Sequence, residues 1–166
     1  CGTVGTMPRT SAGSRCELKE ILPGDRVCMV GGRIGKDGIH GATFSSLRLD
    51  ESSPSSAVQL GDPITQRRMT DFLLEARELG LYRAITDNGA GGLSSSLGEM
   101  AQLSGGCEIY LDRVPLKYEG MQPWEIWISE SQERMTLAVP GNALDEFMAL
   151  MKSRGVEAVV IGEFNS

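Results

Sequence analysis

A glycine-rich segment contains the residues of this chain that most suggest chemistry. It runs from Gly31 to Ser46 (GGRIGKDGIHGATFSS), directly after the apolar run Val27–Val30, and includes five glycines. Glycine at this density permits tight turns and lets backbone N–H groups approach a bound anion closely. The cations Arg33 and Lys36 and the only histidine, His40, lie between the glycines. The pattern predicts either a phosphate-holding loop or a plain connection between two strands.

Two common phosphate-binding motifs do not fit this segment. The P-loop requires a serine or threonine after its Gly-Lys pair, but here Asp37 follows Gly35-Lys36. Val30 stands where the motif's first glycine belongs. The dinucleotide-binding fingerprint requires a helix directly after the glycines, and none is predicted there. His40 has no identifiable cysteine or serine partner, which favours a structural hydrogen-bonding role over that of a catalytic base.

Asp87 is a candidate metal ligand. It ends a short apolar strand, Ala84–Thr86, and precedes the glycine turn Gly89–Gly92. Carboxylates at strand ends project into the crevice where ligands of sheet proteins bind. Mg²⁺ is typically held by one or two carboxylates together with phosphate oxygens of the substrate. The same residue could instead form an Asx turn with its own backbone, and both interpretations stay open on these residues alone.

Three serines, Ser94–Ser96, follow Gly92 at the predicted start of a helix. The free N–H groups at that helix end could meet an anion. Capping and surface roles for the serines are the favoured interpretation.

A dense polar cluster occupies the segment WEIWISESQERM, Trp124–Met135, directly ahead of an apolar strand. Glutamate, serine and glutamine side chains at a strand entrance can orient a ligand that carries several hydroxyl groups. The alternative is a solvated helix end with an i,i+4 ion pair between Glu130 and Arg134.

Alternating strands and helices must position these residues. Helices are predicted where an N-cap, a proline or a glycine stop brackets an apolar face, and strands where apolar runs follow turns. The predicted strands are Arg26–Val30, Ala42–Leu49, Ala84–Thr86, Cys107–Leu111, Arg134–Val139 and Val156–Ile161, and the predicted helices are Asp62–Gly80, Leu93–Leu103, Pro123–Ser131 and Gly141–Gly155. This alternation predicts an α/β or α+β domain whose sheet is covered by helices.

Composition limits the function classes. Residues 1–17 are rich in small residues without a sustained period and are predicted to be a linker or the remnant of a preceding element, and residues 18–166 a single domain. The net charge of −6 and the pI of about 4.9 argue against nucleic acid as a partner. No apolar run is long enough to span a bilayer, so no membrane partner is expected. The four cysteines form no CxxC pair, as in a cytoplasmic protein with reduced thiols.

Four segments together carry a family resemblance. They are GDRVCMVGGRIGKDGIHGATFSS, AVQLGDPITQRRM, ITDNGAGGLSSSLGEMA and WEIWISESQERM, in that order. From about Gly24 onward the chain resembles the phosphoribosylformylglycinamidine synthases. The string SESQERM is specific, since related synthetases and kinases share the general fold without it.

The resemblance implies a fold, a site and a longer parent chain. The fold would be a mixed sheet flanked by helices, partly ferredoxin-like, as in the first C-terminal-type domain of the synthase. Gln59, Glu130, Ser131 and Gln132 resemble contacts to formylglycinamide ribonucleotide, and Asp87 resembles a Mg²⁺ ligand. The family's catalytic histidines belong to the preceding domain, so no catalytic residue, His40 included, is assigned here.

The implied reaction uses ATP to activate the formyl amide oxygen, after which ammonia derived from glutamine displaces phosphate. The implied partners are the remaining domains of the synthase, which bind most of the ATP, a glutaminase domain or subunit, and the ribonucleotide. Alone, this domain is expected to be inactive and to form a homodimer through an apolar face that a neighbouring domain would cover. The rival interpretations are a stand-alone small-molecule binding module and another synthetase or kinase of the superfamily. The opening Cys1 and the irregular first residues favour a piece of a longer chain over the stand-alone module.

Overall fold

The computed structural model describes residues 4–40 and 61–166. The strands are β1 (Thr10–Ser11), β2 (Ser14–Arg15), β3 (Arg26–Gly31), β4 (Ala84–Asp87), β5 (Gly106–Ile109), β6 (Arg134–Val139) and β7 (Ala158–Asn165). The α-helices are α1 (Pro63–Glu78), α2 (Gly92–Ser104), α3 (Pro123–Ile128) and α4 (Leu144–Arg154), with single 3₁₀ turns at Leu111–Arg113 and Gly141–Ala143. The strand predicted at Ala42–Leu49 and the candidate residue Gln59 lie outside the described residues.

Five strands form one sheet in the order β4-β6-β3-β7-β5, and every neighbouring pair is antiparallel. The expected class, a sheet flanked by helices, is confirmed. The pairing differs from the mixed sheet predicted, since the one parallel pairing described is an isolated bridge between Ile34 and Leu116. The reason is that β6 and β7, which α4 joins, run parallel to each other but have β3 inserted between them.

Helices cover both faces of this sheet. Successive side chains of a strand point to opposite faces; accordingly Val27 and Met29 join one core, and Cys28 and Val30 join the other. The first core is completed by α2 and α3 through Leu93, Leu97, Met100 and Ile126, and the second by α1 and α4 through Met69, Phe72, Ala76 and Phe147. Burial raises the pKa of Cys28 to about 12, so its thiol stays protonated within the second core.

Local signals place several helix ends where the sequence predicts them. Asp62 caps α1: its Oδ1 accepts hydrogen bonds from the N–H groups of Ile64 (3.0 Å) and Thr65 (3.1 Å). Pro63 takes the first helical position. Gly155 ends α4 in the left-handed conformation, with φ of 62°.

Other boundaries shift because of contacts with neighbouring residues. The N–H of Val156 donates to the carbonyl of Met151 (3.1 Å) to close α4, so β7 starts at Ala158 and extends to Asn165. The predicted helix at Pro123–Ser131 ends at Ile128. Within residues 1–17 a short hairpin, β1 with β2, forms where a linker or the remnant of a preceding element was predicted. The domain boundary after residue 17 stays a prediction.

The start of α2 lies against the turn that follows α3. Gly91, not a serine, is the N-cap, and Ser96 is buried, so the surface role predicted for that serine is wrong. Gly92 has φ of 57°, and a Cβ there would lie 2.1 Å from the carbonyl oxygen of Ser129. No side chain fits between the two backbones.

We expect Gly92→Ala to lower the free energy of unfolding by about 2–4 kcal/mol, because it combines overpacking with a left-handed alanine. The matched control is Gly98→Ala in the same helix, where an added Cβ meets nothing within 4 Å. This variant should raise the free energy of unfolding by about 0.5–1 kcal/mol. Urea titration of both variants measures the difference. Equal effects on the urea midpoint would contradict the close packing of α2 on this turn.

Candidate functional site

Two adjoining cavities open at one end of the sheet. Gly31 at the end of β3 pairs with Arg134 at the start of β6, and Asp87 at the end of β4 pairs with Met135. The larger cavity, about 360 Å³, includes Gly32, Arg33, Arg68, Lys117, Gln132 and Glu133 in its lining. The smaller cavity, about 210 Å³, includes Asp87, Asn88, Gly89, Ser131, Gln132 and Glu133. Gln132 and Glu133 separate the two spaces.

Asp87 lines the smaller cavity and also forms the Asx turn that the sequence left open. Its Oδ1 accepts a hydrogen bond from the N–H of Gly89 at 2.9 Å. The turn engages only one of the two carboxylate oxygens, so the turn and a cation-binding role are compatible. No group of three or more potential ligands (His, Cys, Asp or Glu) able to hold a metal occurs among the described residues. A Mg²⁺ at Asp87 would therefore draw further ligands from water and substrate phosphate, which is its usual preference.

Asn88 anchors this turn from below. Its Oδ1 accepts hydrogen bonds from the hydroxyls of Ser96 (2.6 Å) and Thr136 (2.9 Å), and its N–H donates to the carbonyl of Arg134 (3.2 Å). The Nδ2 of Asn88 is buried and has no hydrogen-bond partner in the described part of the chain. These hydrogen bonds of Asn88 fix the position of the neighbouring Asp87 at the end of β4.

The segment Ser129–Gln132, here called the SESQ turn, carries the three other described candidates. Gln132 lines both cavities, and its Nε2 donates to the carbonyl of Glu130 at 2.9 Å. Glu130 lies beside the start of α2, where its Oε1 accepts a hydrogen bond from the N–H of Gly91 at 3.1 Å. Asp87, Ser131 and Gln132 thus meet at the smaller cavity, whereas Glu130 is not among the residues that line it.

The hydroxyl of Ser131 is occupied by the protein itself. The residue is 1% exposed, its Oγ accepts a hydrogen bond from the N–H of Gly35 (2.8 Å), and it donates to the carboxylate of Asp37. The role implied by resemblance, a contact to ribonucleotide, would have to come from the backbone of Ser131 or follow a rearrangement of this hydroxyl.

Arg134 is buried beneath the SESQ turn. It is 3% exposed; its Nε donates to the carbonyl of Ser131 (2.7 Å) and its Nη2 to that of Ser129 (2.5 Å). The solvated Glu130–Arg134 helix pair is therefore wrong, since α3 ends at Ile128 and Arg134 begins β6. Burial lowers the pKa of Arg134 to about 10, against the opposing attraction of Asp37.

Glu133 belongs to the polar cluster predicted at Trp124–Met135, but its position in the lining of both cavities was not predicted. It has φ of 54°, a left-handed conformation unusual for this residue type. Its carbonyl accepts a hydrogen bond from the N–H of Gly32 (2.9 Å), and its Oε2 accepts one from the N–H of Asp62 (3.0 Å). A Cβ at Gly31 would lie 2.0 Å from the same carbonyl oxygen. The glutamate conformation thus depends on a glycine at the end of β3.

The described start of the glycine-rich segment is a structural connection. Residues 31, 32, 34, 35 and 36 donate their N–H groups to Glu157, Glu133, Pro115, Ser131 and Tyr118, respectively. These donors are therefore engaged within the protein. They are not available to a bound anion. The strand predicted to follow lies outside the described residues, so the connection to a second strand stays a prediction.

Asp37 is the acidic centre of this connection. Its Oδ2 accepts a hydrogen bond from Lys117 Nζ at 2.7 Å as well as the one from Ser131. Although burial opposes its ionisation, the hydrogen bonds from Lys117 and Ser131 hold the pKa of Asp37 below its usual value. Asp37 is therefore an anion at neutral pH.

Comparison with known proteins decides the family. Residues 23–166 match the family model described as "AIR synthase related protein, C-terminal domain". The chain belongs to this family. It is 47% identical over 144 residues to the phosphoribosylformylglycinamidine synthase subunit PurL of Methanopyrus kandleri, covering 84% of this chain and 20% of the relative. For the PurL subunit of Thermoplasma acidophilum the identity is 43% over 148 residues, covering 87% of this chain and 20% of the relative. The chain thus spans about a fifth of the length of these curated relatives.

Solved structures agree with this assignment. T. maritima PurL complexed with FGAR superposes with a TM-score of 0.76 and 35% identity, covering 89% of this chain and 25% of that chain. T. maritima PurL complexed with ATP superposes with a TM-score of 0.72 and 30% identity, covering 92% of this chain and 24% of that chain. The E. coli hydrogenase maturation protein HypE, at 23% identity, a TM-score of 0.60 and coverages of 87% and 44%, shares the fold alone.

We expect Arg134→Met to cost about 2–4 kcal/mol of unfolding free energy, because two buried carbonyls lose their donor. The matched control, Arg67→Met, removes an exposed arginine whose partner is Asp71 and should change stability by no more than about 0.5 kcal/mol. Chemical denaturation of both variants provides the test. A loss at Arg134 no larger than at Arg67 would show that the SESQ turn does not depend on this guanidinium.

Proposed function

We propose that this chain is the ribonucleotide- and Mg²⁺-binding domain of an ATP-dependent synthase of purine biosynthesis. The reaction converts formylglycinamide ribonucleotide, ATP and glutamine-derived ammonia to formylglycinamidine ribonucleotide. The observation that carries this proposal is the meeting of Asp87 with Ser131 and Gln132 at one cavity. The family membership and the FGAR complex of T. maritima PurL support it.

The chemistry demands positioning and charge neutralisation. The amide oxygen of the ribonucleotide attacks the γ-phosphorus of ATP and ADP leaves; ammonia then displaces phosphate at the former amide carbon. Mg²⁺ would neutralise charge on the phosphates. In this chain Asp87 would hold the cation, and Gln132, with the backbone at Ser131, would hold the ribonucleotide. Glu130, which lies beside the start of α2 and outside the lining of the smaller cavity, is proposed as a contact on the resemblance alone. Gln59 is proposed as a fourth contact on the resemblance alone.

The remaining proposals concern the surroundings of the domain. ATP would be bound mainly by a neighbouring domain, and a glutaminase domain or subunit would supply ammonia; the neighbour described as PurLQS from Thermotoga maritima supports further subunits. Ile64 and Trp124 are exposed, and a neighbouring domain would cover them; isolated, inactive copies of residues 18–166 would pair into a homodimer through such surfaces.

The described cysteines are free thiols, which supports a cytoplasmic location. No described helix has the length and apolarity needed to cross a membrane.

The direct test of the reaction is ADP release by the intact protein that carries this chain. Formylglycinamide ribonucleotide and ammonia are supplied singly and together with ATP. Release that requires both supports the synthase. Release indifferent to the ribonucleotide would instead support another kinase or synthetase of the superfamily, and tight ribonucleotide binding without release would support a binding module.

We expect Asp87→Asn in the intact protein to lower turnover by about 100-fold or more, because a preorganised charge at the phosphates is lost. Asparagine keeps the oxygen that accepts from Gly89, so the unfolding free energy should change by less than about 1 kcal/mol. Asp112→Asn, an exposed carboxylate in the 3₁₀ turn after β5, should change neither. Parallel loss of folding and activity on denaturant titration would refute the metal role.

Gln132→Ala should raise the Michaelis constant for the ribonucleotide by about tenfold, the loss expected for one hydrogen bond in a closed site. Gln102→Ala on the exposed side of α2 is the control and should leave this constant unchanged. Steady-state kinetics with varied ribonucleotide distinguishes them. If both variants retain the parent value, Gln132 is not part of the site.

A further inference from the structure

Asp37 connects the two cavities without lining either of them. Its Oδ2 accepts hydrogen bonds from Lys117 Nζ (2.7 Å) and Ser131 Oγ. Lys117 belongs to the wall of the larger cavity and Ser131 to that of the smaller one. The Asp37 side chain is only 14% exposed. One carboxylate oxygen thus holds a wall residue of each cavity in place.

The backbone around Asp37 holds the same turn. The carbonyl of Asp37 accepts a hydrogen bond from the N–H of Glu130 at 2.8 Å. Two residues earlier, the carbonyl of Gly35 accepts from the hydroxyl of Ser129 at 2.6 Å, and its N–H donates to Ser131 Oγ at 2.8 Å. The connection after β3 and the SESQ turn therefore behave as one hydrogen-bonded unit.

Arg134 also binds the SESQ turn. It donates to the carbonyls of Ser129 and Ser131, while Asp37 holds the hydroxyl of Ser131 and the N–H of Glu130. Gln132, which follows Ser131 in the chain, lines both cavities. Asp37 and Arg134 thus both bind Ser131, the residue directly before Gln132.

Other contacts keep the connection attached when Asp37 is removed. The N–H of Ile34 donates to the carbonyl of Pro115 (3.0 Å), and the N–H of Lys117 donates back to the carbonyl of Ile34 (2.8 Å). Lys36 pairs with Glu125 at 3.0 Å. Loss of the Asp37 carboxylate therefore removes the side-chain contacts to Ser131 and Lys117, while these other contacts keep the connection in place.

We propose that Asp37 is a positioning residue for the ribonucleotide site, holding Ser131 and Lys117 so that the SESQ turn presents Gln132 to the ligand. This inference rests on the proposed function. It assigns the Ser131 hydroxyl to Asp37 and not to the ligand.

The test uses Asp37→Ala and Asp37→Asn in the intact protein. Asp37→Ala should raise the Michaelis constant for formylglycinamide ribonucleotide by about tenfold, as expected for a lost charge-assisted hydrogen bond. Asp37→Asn keeps an acceptor for Ser131 but loses the attraction for Lys117, so its increase should be smaller. The urea midpoint is measured alongside, and Asp71→Ala, which breaks the exposed Arg67–Asp71 pair, is the control and should leave the Michaelis constant unchanged.

A double-variant cycle separates positioning from general loosening. If Asp37 acts through Ser131, the Asp37→Ala and Ser131→Ala effects on the Michaelis constant are not additive, and the double variant matches the more impaired single one. Additive effects would overturn the proposal, as would an Asp37→Ala constant equal to that of Asp71→Ala. Unfolding of both Asp37 variants would also overturn it, because Asp37 would then serve stability alone.

Kinetics of the unsubstituted intact protein distinguish a failure of the proposed function from a failure of the positioning role. A parent whose ADP release ignores the ribonucleotide refutes the proposed function, and the positioning role falls with it. A parent that uses the ribonucleotide while the Asp37 variants keep its Michaelis constant refutes the positioning role only.

Discussion

The buried guanidinium of Arg134 is the constraint on which the site depends. A buried charge is costly unless hydrogen bonds replace its lost hydration, and here the carbonyls of Ser129 and Ser131 supply them. The chain between α3 and β6 must therefore fold over Arg134 as a tight turn. The hydroxyl and N–H groups of this turn form hydrogen bonds with Gly35 and Asp37 in the connection after β3. Polar groups of two chain segments distant in sequence thus satisfy each other.

Sheet topology brings the remaining candidates to the same place. Because β6 runs antiparallel to both β3 and β4, its first two residues, Arg134 and Met135, pair with the ends of those two strands. Asp87 lies at the end of β4, and Gln132 lies two residues before β6. Gly31 permits the left-handed conformation of Glu133 beside them. Close backbone contacts at Gly31 and Gly92 also shape this region, which agrees with the high glycine content of the chain.

Local signals explain what the sequence predicted well. The Asp62 cap, the Gly155 stop and the β6 span depend on neighbouring residues and were confirmed. The helix assigned through Ser131 and the ion pair of Glu130 with Arg134 failed because tertiary hydrogen bonds end α3 at Ile128. The Asx turn at Asp87 was foreseeable as one alternative. The backbone of Glu133 and the Asn88 network were not, since both depend on residues far away in the sequence.

A crystal structure of the intact protein with formylglycinamide ribonucleotide and Mg²⁺ tests the central claim most directly. We expect the ribonucleotide in the smaller cavity, with Gln132 hydrogen-bonded to it, Mg²⁺ at Asp87, and the Ser131 hydroxyl still donating to Asp37. A ribonucleotide bound away from Asp87 and Gln132 would contradict it. So would a Ser131 hydroxyl turned from Asp37 to the ligand.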